Sequence, residues 1–227
     1  EKLMNPDQLA SLVESGWNCV MDIAAAVPVR IMDALGKRAI KKEVKNIRLH
    51  SLLDLQPLKV LEPEAAQGII PVSWFSGSGL RQAVNEGRAD LMPCYYQDMP
   101  QLFDQFVDLD AVFLNVSPMD QHGYFSTGVT ASNSEVLLRK AKRVYLEVNE
   151  NMPRSLYSPM IHISRVTALC ESNEPLPVMA PAMIDETSQK IGDFIAEEVP
   201  DGATLQLGIG AVPEAVGQAL KDKHDLG

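Results

Sequence analysis

A glycine turn near the end of the chain is the first candidate for chemistry. Gly208 and Gly210 follow the apolar segment "TLQL", which is predicted to be a strand, and Pro213 comes three residues later. Glycine permits positive φ and close approach of a ligand to the backbone, and proline fits a helical first turn, where N–H groups are free. Two interpretations are equally compatible with this spacing: a cradle for a phosphate group, or a tight strand-to-helix connection.

The turn does not match the two best-known nucleotide motifs. A dinucleotide fingerprint requires a third glycine three residues after Gly210, where this chain has Pro213. The lysine-containing phosphate loop of nucleoside triphosphatases is absent as well. A nicotinamide cofactor is therefore not expected.

Two loops carry residues that also occur in active sites. Asp120 and His122 lie in "NVSPMDQHGYFSTGV", but no third ligand accompanies them, and with Gly123 they are typical of a turn. Ser78 in "WFSGSGL" has no glycine two residues before it, so the nucleophile-elbow pattern of hydrolases fails. We expect the second loop to be a helix-start anion site or a plain connection.

The remaining polar candidates are interpreted as structural. Charges around a helix end and strand start predict a solvated ion-pair cluster of Glu86, Arg88 and Asp90. The adjacent carboxylates Glu197 and Glu198 face different sides of a helix and cannot act as a dyad. Three isolated histidines are expected to be structural or exposed, namely His50, His162 and His224.

Composition limits the function classes. The chain has 227 residues, 46% of them apolar and 22% charged, which suffices for one large or two modest globular domains. A formal net charge of −10 argues against a nucleic-acid partner but not against one phosphorylated small molecule. The sequence contains neither a long apolar run nor a signal-peptide pattern, so we expect a cytoplasmic protein with no membrane partner. The three cysteines, Cys19, Cys94 and Cys170, are far apart in sequence and match no metal-binding spacing, so no metal site is expected. They are predicted to be buried thiols of a protein in a reducing compartment.

Short apolar segments alternate with helical patterns along most of the chain. The first helix is predicted in "NPDQLASLVESG", with Asn5 as N-cap, Pro6 at the first helical position and Gly16 as the stop. A second helix is predicted in "PVRIMDALGKRAIKKEV" from the spacing of Ile31, Leu35 and Ile40. This alternation predicts an α/β fold with an open, mainly parallel sheet that is covered by helices on both faces. Later strands without long helices between them predict an antiparallel or irregular closing section, in "RVYLEVN", "MIHIS" and "VTALCES".

A proline-rich stretch, "NEPLPVMAPAMIDE", predicts a domain boundary near Pro181. We expect residues 1–181 to form an N-terminal α/β domain. Residues 182–227 are expected to begin a second α/β domain and not to complete it, because one predicted strand cannot bury both faces of a sheet.

Four segments together resemble the acetyl-CoA hydrolase and 4-hydroxybutyrate CoA-transferase family. In chain order they are "VNEGRADLMPCYYQDMPQLF", "DAVFLNVSPMDQHGYFSTGV", "LEVNENMPRSLYSPMIHIS" and "LQLGIGAVPEAVGQALKDKHDLG". The resemblance covers nearly the whole chain from about Pro71 onward. Four motifs in the right order are much more specific than the glycine turn alone.

The resemblance implies two α/β domains of similar build with a coenzyme A site between them, in a homodimer or other homo-oligomer. The substrates would be an acyl-CoA and a small carboxylate, without a metal. It implies that coenzyme A contacts the glycine turn, which here comprises Gly208, Ile209, Gly210, Ala211 and Val212. It also implies a nucleophilic glutamate shortly after the following helix, which would fall beyond Gly227, so no residue of this chain is assigned a catalytic role.

The chain departs from the family pattern near its N-terminus. Members of the family tend to carry Gly-Glu-Pro after the first strand, whereas this chain reads "AAAVPVR", with Ala26 and Val27 before Pro28. This loop is expected to face the acyl pocket, so the departure bears on the choice of substrate and not on the fold.

The leading hypothesis is a CoA-transferase that moves coenzyme A between short-chain carboxylic acids of the 4-hydroxybutyrate or acetate type. It would work through a glutamyl-CoA thioester with ping-pong kinetics, and the 227-residue chain alone would be inactive. One alternative is an acyl-CoA hydrolase on the same scaffold. Another is a non-catalytic module that binds a phosphorylated metabolite, since one fold can carry unrelated functions.

Overall fold

Strands and helices alternate along the chain in the computed structural model, which describes residues 2–156 and 158–227. The strands are β1 (Asn18–Met21), β2 (Ile47–Leu52), β3 (Ile69–Phe75), β4 (Asp90–Leu91), β5 (Ala111–Val116), β6 (Tyr124–Ser126), β7 (Arg143–Asn149), β8 (Met160–His162) and β9 (Ala168–Ser172). The α-helices are α1 (Pro6–Ser11), α2 (Val29–Ile40), α3 (Ser78–Asn85), α4 (Met99–Phe106), α5 (Ser134–Lys140), α6 (Glu186–Glu198) and α7 (Ala211–Ala219).

Seven strands form one sheet in the order β4-β3-β2-β1-β5-β7-β9, and every neighbouring pair in it is parallel. The predicted α/β fold with a mainly parallel sheet is therefore confirmed. The chain builds outward from β1 to β4 on one side and then crosses to β5 on the other side. The order of the strands thus reverses between β1 and β5, and such a switch point opens a crevice at the carboxyl ends of the strands.

The two faces of the sheet bury separate apolar cores, because successive side chains of a strand point to opposite faces. One core packs α1 and α2 against the face that carries Phe113 and Tyr145, whose ring centroids lie 5.3 Å apart. The other core packs α4 and α5 against the face that carries Val112 and Val144. Burial on both faces explains why the central strands read as continuous apolar runs.

The predicted start of α1 is confirmed by a reciprocal cap. The Asn5 side chain accepts the Gln8 N–H at 2.8 Å, and the Gln8 side chain accepts the Asn5 N–H at 3.1 Å. Pro6 occupies the first helical position. The predicted stop at Gly16 is wrong, because α1 already ends at Ser11; Gly16, with φ at 82°, turns the chain toward β1 instead. The α2 prediction holds for Ile31 and Leu35, which are fully buried, but the helix ends at Ile40, which is half-buried, and "KKEV" lies beyond it.

The expected antiparallel closing section is only partly present. β8 pairs antiparallel with β6 in a separate two-stranded sheet. β7 and β9, however, are parallel to each other and extend the main sheet. The segment between them, which contains β8, is long enough to serve as the crossover that a parallel pair requires.

Two predicted strands are shorter or absent. In "ADLMPCYY" only Asp90–Leu91 forms a strand, followed by Pro93, which cannot donate to a ladder. "TLQL" is not a strand, because a strand needs a hydrogen-bonded neighbour. The only strand-like pairing among the described residues there is two backbone hydrogen bonds. They run from Leu205 N–H to the Gly227 carbonyl at 2.8 Å and from Gly227 N–H to the Ala203 carbonyl at 3.0 Å.

The chain divides into two compact units, one extending to Pro177 and the other spanning Val178–Gly227. The second unit consists of α6, α7 and their connections, with Ala196, Val216 and Leu220 in its small core. No helix among the described residues combines the length and apolar character needed to cross a membrane.

Candidate functional site

The glycine turn of the second unit lies on the surface and opens a helix. Gly210 has φ at 132° and is the N-cap residue of α7, and a Cβ atom there would meet open space. No side chain of the described residues caps this helix start by hydrogen bonding. The Ile209 side chain between the two glycines is 78% exposed. The turn therefore leaves free N–H groups where a helix attracts anions.

A cleft of about 500 Å³ adjoins this turn, and its lining includes Gly208, Pro213, Glu214 and Lys221. Lys221 contributes a positive charge to the cleft, whereas Glu214 in the first helical turn opposes an anion. The combination suits one phosphate group better than a cluster of them. The assignment of coenzyme A contacts to residues 208–212 remains a prediction.

Two helix starts in the sheet-containing unit are occupied by carboxylates from other segments of the chain. Asp54 accepts the N–H groups of Gly79 at 2.6 Å and Leu80 at 3.2 Å at the start of α3. A Cβ atom on Gly77 would lie 2.2 Å from the Asp54 carbonyl oxygen, so only glycine fits there. The serine-rich loop is therefore a capped connection, and its helix start is not available to an external anion.

Glu147 performs the same role at α2. Its Oε2 accepts the N–H groups of Arg30 at 2.9 Å and Ile31 at 3.2 Å. Burial raises the pKa of Glu147 to about 7, although hydrogen bonds from Ile31, Ser172 and Arg30 act in the opposite direction. Glu147 is thus a carboxyl group that can change its protonation state near neutral pH.

A pocket lies at the carboxyl ends of the strands near the switch point, and we call it the carboxyl-edge pocket. Its volume is about 140 Å³. It is lined by Ala25, Val27, Val29, Gln56, Asn115, Glu147, Asn149, Glu174, Pro175, Leu176 and Pro177. The strand residues Asn115 and Glu147 are register partners on β5 and β7, so their side chains leave the same face of the sheet.

A second buried carboxyl group follows β1. Asp22 is 3% exposed; one of its oxygens accepts the N–H of Ile23 at 2.9 Å, and Oδ2 has no partner within the described part of the chain. Burial raises the pKa of Asp22 to about 8. The loop beside it is strained, since Ala24 has φ at 51° and donates its N–H to the carbonyl of Leu53, which has φ at 39°. Strained backbone of this kind concentrates at functional sites.

The Asp120 loop is a turn, as the sequence predicts. Asp120 accepts the N–H groups of His122 at 2.9 Å and Tyr124 at 2.8 Å, and it pairs with Arg154. Gly123 has φ at 84°. The His122 side chain is exposed, and its Nε2 contacts the Gln121 side-chain amide at 3.2 Å.

The other polar candidates also have structural roles. The predicted charged cluster forms two ion pairs, Glu86 with Arg88 and Asp90 with Arg48. His50 accepts the Trp74 indole N–H at 2.9 Å, and burial lowers the pKa of this histidine to about 4. His162 contacts Ser164 at 2.8 Å. Cys19 and Cys170 are buried, as expected, whereas Cys94 is partly exposed.

Sequence reasoning missed the polar residues of the carboxyl-edge pocket. One signal was present, because Glu147 interrupts the apolar segment "RVYLEVN", between a buried Leu146 and a half-buried Val148. A charged residue within such a strand must find partners inside the protein. Asn115 in "DAVFLNVSP" carried no comparable signal, since asparagine is common where a strand ends.

Comparison with known proteins gives a consistent result. Residues 1–180 match the family described as "Acetyl-CoA hydrolase/transferase N-terminal domain". The chain is 34% identical over its whole length to the succinyl-CoA:cyclohexane-1-carboxylate CoA transferase of Geobacter metallireducens and to the 4-hydroxybutyrate coenzyme A transferase of Clostridium kluyveri. It covers 51% and 53% of those two proteins, so it spans about half the length of the curated relatives that it matches.

Solved structures agree. RipA from Yersinia pestis, 34% identical, superposes on the whole chain with a TM-score of 0.91, and the chain covers 55% of it. The 4-hydroxybutyrate CoA-transferase of Porphyromonas gingivalis, 29% identical, superposes with a TM-score of 0.81, and the chain covers 53% of it. The resemblance stated from the four motifs is confirmed: this chain belongs to the acetyl-CoA hydrolase/transferase family and carries its N-terminal portion.

Proposed function

We propose that the protein containing this chain is a CoA-transferase that moves coenzyme A between short-chain carboxylic acids. The observation that carries the proposal is the end-to-end similarity, at about one third identity, to several proteins named as CoA-transferases. The uncapped helix start at Gly210, with Lys221 in the adjoining cleft, supports binding of a coenzyme A phosphate at residues 208–212.

The proposed chemistry requires a nucleophilic glutamate, which the family resemblance implies lies outside this chain. Its carboxylate attacks the acyl-CoA carbonyl, and the CoA thiolate leaves, giving a mixed anhydride. The thiolate then attacks the glutamyl carbonyl, and the first carboxylic acid departs as its carboxylate. The second acid repeats the sequence in reverse and leaves as a new acyl-CoA, so the thioester energy is conserved and kinetics are ping-pong.

If the nucleophilic glutamate lies outside this chain, the chain and the natural protein that contains it should behave differently toward acetyl-CoA. Intact-mass measurement after incubation with acetyl-CoA should show a CoA adduct on a glutamate of the natural protein. The 227-residue chain should show no adduct and no exchange of acyl groups. Robust exchange by the chain alone would contradict the assignment of the nucleophile.

Hydrolysis on the same scaffold is the second candidate, because the family description names both hydrolase and transferase. The two differ only in whether water or a second acid attacks the glutamyl thioester. Release of free CoA from acetyl-CoA, measured with and without an added carboxylate, separates them. A transferase should release little free CoA with or without the acceptor and should form a new acyl-CoA only when the acceptor is present, since water must be excluded from a stable thioester. Rapid release that an acceptor does not change would favour the hydrolase.

A further inference from the structure

An apolar cavity lies on the face of β7 and β9 opposite the carboxyl-edge pocket. Successive side chains of a strand point to opposite faces, so Glu147 and Asn149 line that pocket, whereas Val148 lines the cavity. The volume of the cavity is about 320 Å³. We call it the β7–β9 cavity, and its apolar lining consists of Pro118, Met119, Phe125, Val148, Ile163 and Leu169.

Two glutamates complete the lining of the β7–β9 cavity. Glu171 on β9 is the register partner of Val148, and Glu150 lies two residues after Val148, so both side chains leave the face of the sheet that carries the cavity. Both glutamates are exposed, and the ion pairs of the described residues include neither of them. Within that part of the chain, two like charges therefore stand on one face of adjacent strands without an ion-pair partner.

Two basic residues near the cavity bond main-chain carbonyls instead of these carboxylates. Lys2 donates to the Ile163 carbonyl at 2.8 Å and to the Val166 carbonyl at 2.6 Å, and Arg30 donates to the carbonyl of Glu171 at 3.0 Å. No lysine or arginine lines the cavity among the residues that the structure describes. The negative potential of the two glutamates is thus available to an external cation, and the apolar walls strengthen that attraction because they displace water.

The size of the cavity favours a small molecule over a protein segment. Its volume equals that of about ten or eleven water molecules, which leaves room for about ten non-hydrogen atoms. A complementary ligand combines a cationic head for the carboxylates with an apolar tail for the walls. A primary ammonium group suits two acceptors, because it carries three N–H donors. An anionic head would be repelled by both glutamates.

We propose that the β7–β9 cavity binds a small aliphatic primary amine, with its ammonium group between Glu150 and Glu171 and its alkyl tail against Phe125 and Leu169. This inference goes beyond the proposed transferase function and does not depend on it. The test is calorimetric titration, at neutral pH, of the natural protein that contains this chain with hexylamine, 1-hexanol, hexanoate and methylamine. Hexylamine should bind at least about tenfold more tightly than 1-hexanol, whereas hexanoate and methylamine should show no binding.

Substitutions of the two glutamates locate the bound amine. Glu150→Gln and Glu171→Gln keep the shape of the side chain but remove its charge. Each should weaken hexylamine binding about five- to tenfold and leave the binding of 1-hexanol unchanged. Glu174→Gln is the matched control, because Glu174 lines the carboxyl-edge pocket and not the β7–β9 cavity, so this variant should bind hexylamine as the wild type does.

The inference is overturned if the wild type does not bind hexylamine, or if it binds hexylamine and 1-hexanol equally well. Wild-type affinity for hexylamine in both Glu150→Gln and Glu171→Gln overturns it too. Weaker binding in Glu174→Gln alone would place the amine in the carboxyl-edge pocket and would also overturn it. No arm of the experiment measures acyl exchange, so these results leave the proposed function unaffected.

Discussion

At the residue scale, the buried carboxyl groups at the sheet edge link this protein's stability to pH. Glu147 has a pKa of about 7, raised by burial from its ordinary value of 4.5. Its neutral form is therefore preferred in the folded state. The stability that this proton provides is complete below about pH 4.5 and is lost as the pH rises through about 7.

Replacing Glu147 by glutamine should remove this part of the pH dependence. The amide oxygen of Glu147→Gln can still accept the N–H groups of Arg30 and Ile31, but the side chain cannot ionise. We expect the loss of unfolding free energy between pH 5 and pH 8 to shrink by on the order of 3 kcal/mol relative to the wild type. Urea denaturation of the chain at both pH values measures it, and parallel pH profiles for the two proteins would contradict it.

Asp22 provides the comparison for that experiment. Its pKa is also raised by burial, from 3.8 to about 8, so the loss of stability due to Asp22 spans the range of Glu147 and extends to higher pH, and Asp22→Asn should flatten the profile above pH 7 as well. A slope above pH 7 that Asp22→Asn removes and Glu147→Gln leaves would assign that part of the profile to Asp22.

At the element scale, the start of α3 depends on a side chain from another segment of the chain. Asp54 caps two N–H groups of α3 from a position 25 residues away from Gly79. Asp54→Ala should lower the unfolding free energy by about 1–2 kcal/mol, because both N–H groups lose their acceptor. Asp98→Ala is the control, since Asp98 precedes α4 without making a side-chain cap bond. Equal effects of the two substitutions in chemical denaturation would refute this role of Asp54.

The contact between α6 and α7 depends on Gly192. A Cβ atom on this glycine would lie 2.8 Å from the carbonyl carbon of Ala215. A helical Gly→Ala substitution ordinarily stabilises by about 1 kcal/mol, but Gly192→Ala should destabilise by about 1–3 kcal/mol because the helices must separate.

Gly217→Ala is the matched control within α7. Its added Cβ would lie 3.3 Å from a Leu207 side-chain atom, which can move away. Hydrogen exchange of the backbone amides in α6 and α7 measures how much each substitution destabilises the two helices. Unchanged protection in Gly192→Ala would show that this close packing is not needed.

At the scale of the whole molecule, the two units should differ in resistance to proteolysis. The segment between β9 and α6 has no regular secondary structure, and Val178 and Met183 are 91% and 95% exposed. Limited proteolysis followed by mass spectrometry should therefore show first cleavage in residues 173–185 and leave the sheet-containing unit intact. First cleavage within the seven-stranded sheet would contradict this expectation. The proposed domain limits, residues 1–181 and 182–227, can be tested by the same limited proteolysis.

The sequence by itself determined the class of fold, the start of the first helix and the family. Alternating apolar segments can be read locally, because a strand buried on both faces has no polar side to display. The Asn5 cap and Pro6 act within one helical turn, so their effect needs no knowledge of distant residues. The four family motifs are contiguous segments, which is why they can be recognised without coordinates.

Only the tertiary structure decided which distant residues meet. Asn115 and Glu147 are 32 positions apart and become neighbours through the register of β5 and β7. The strand order, and with it the switch point, depends on which side of β1 accepts β5, and no local pattern encodes that choice. "TLQL" is the opposite case: its apolar residues predict a strand, but the structure forms none there, because a strand needs a hydrogen-bonded neighbour. Pairing and burial are properties of the assembled sheet, and they decide where this protein can place a ligand.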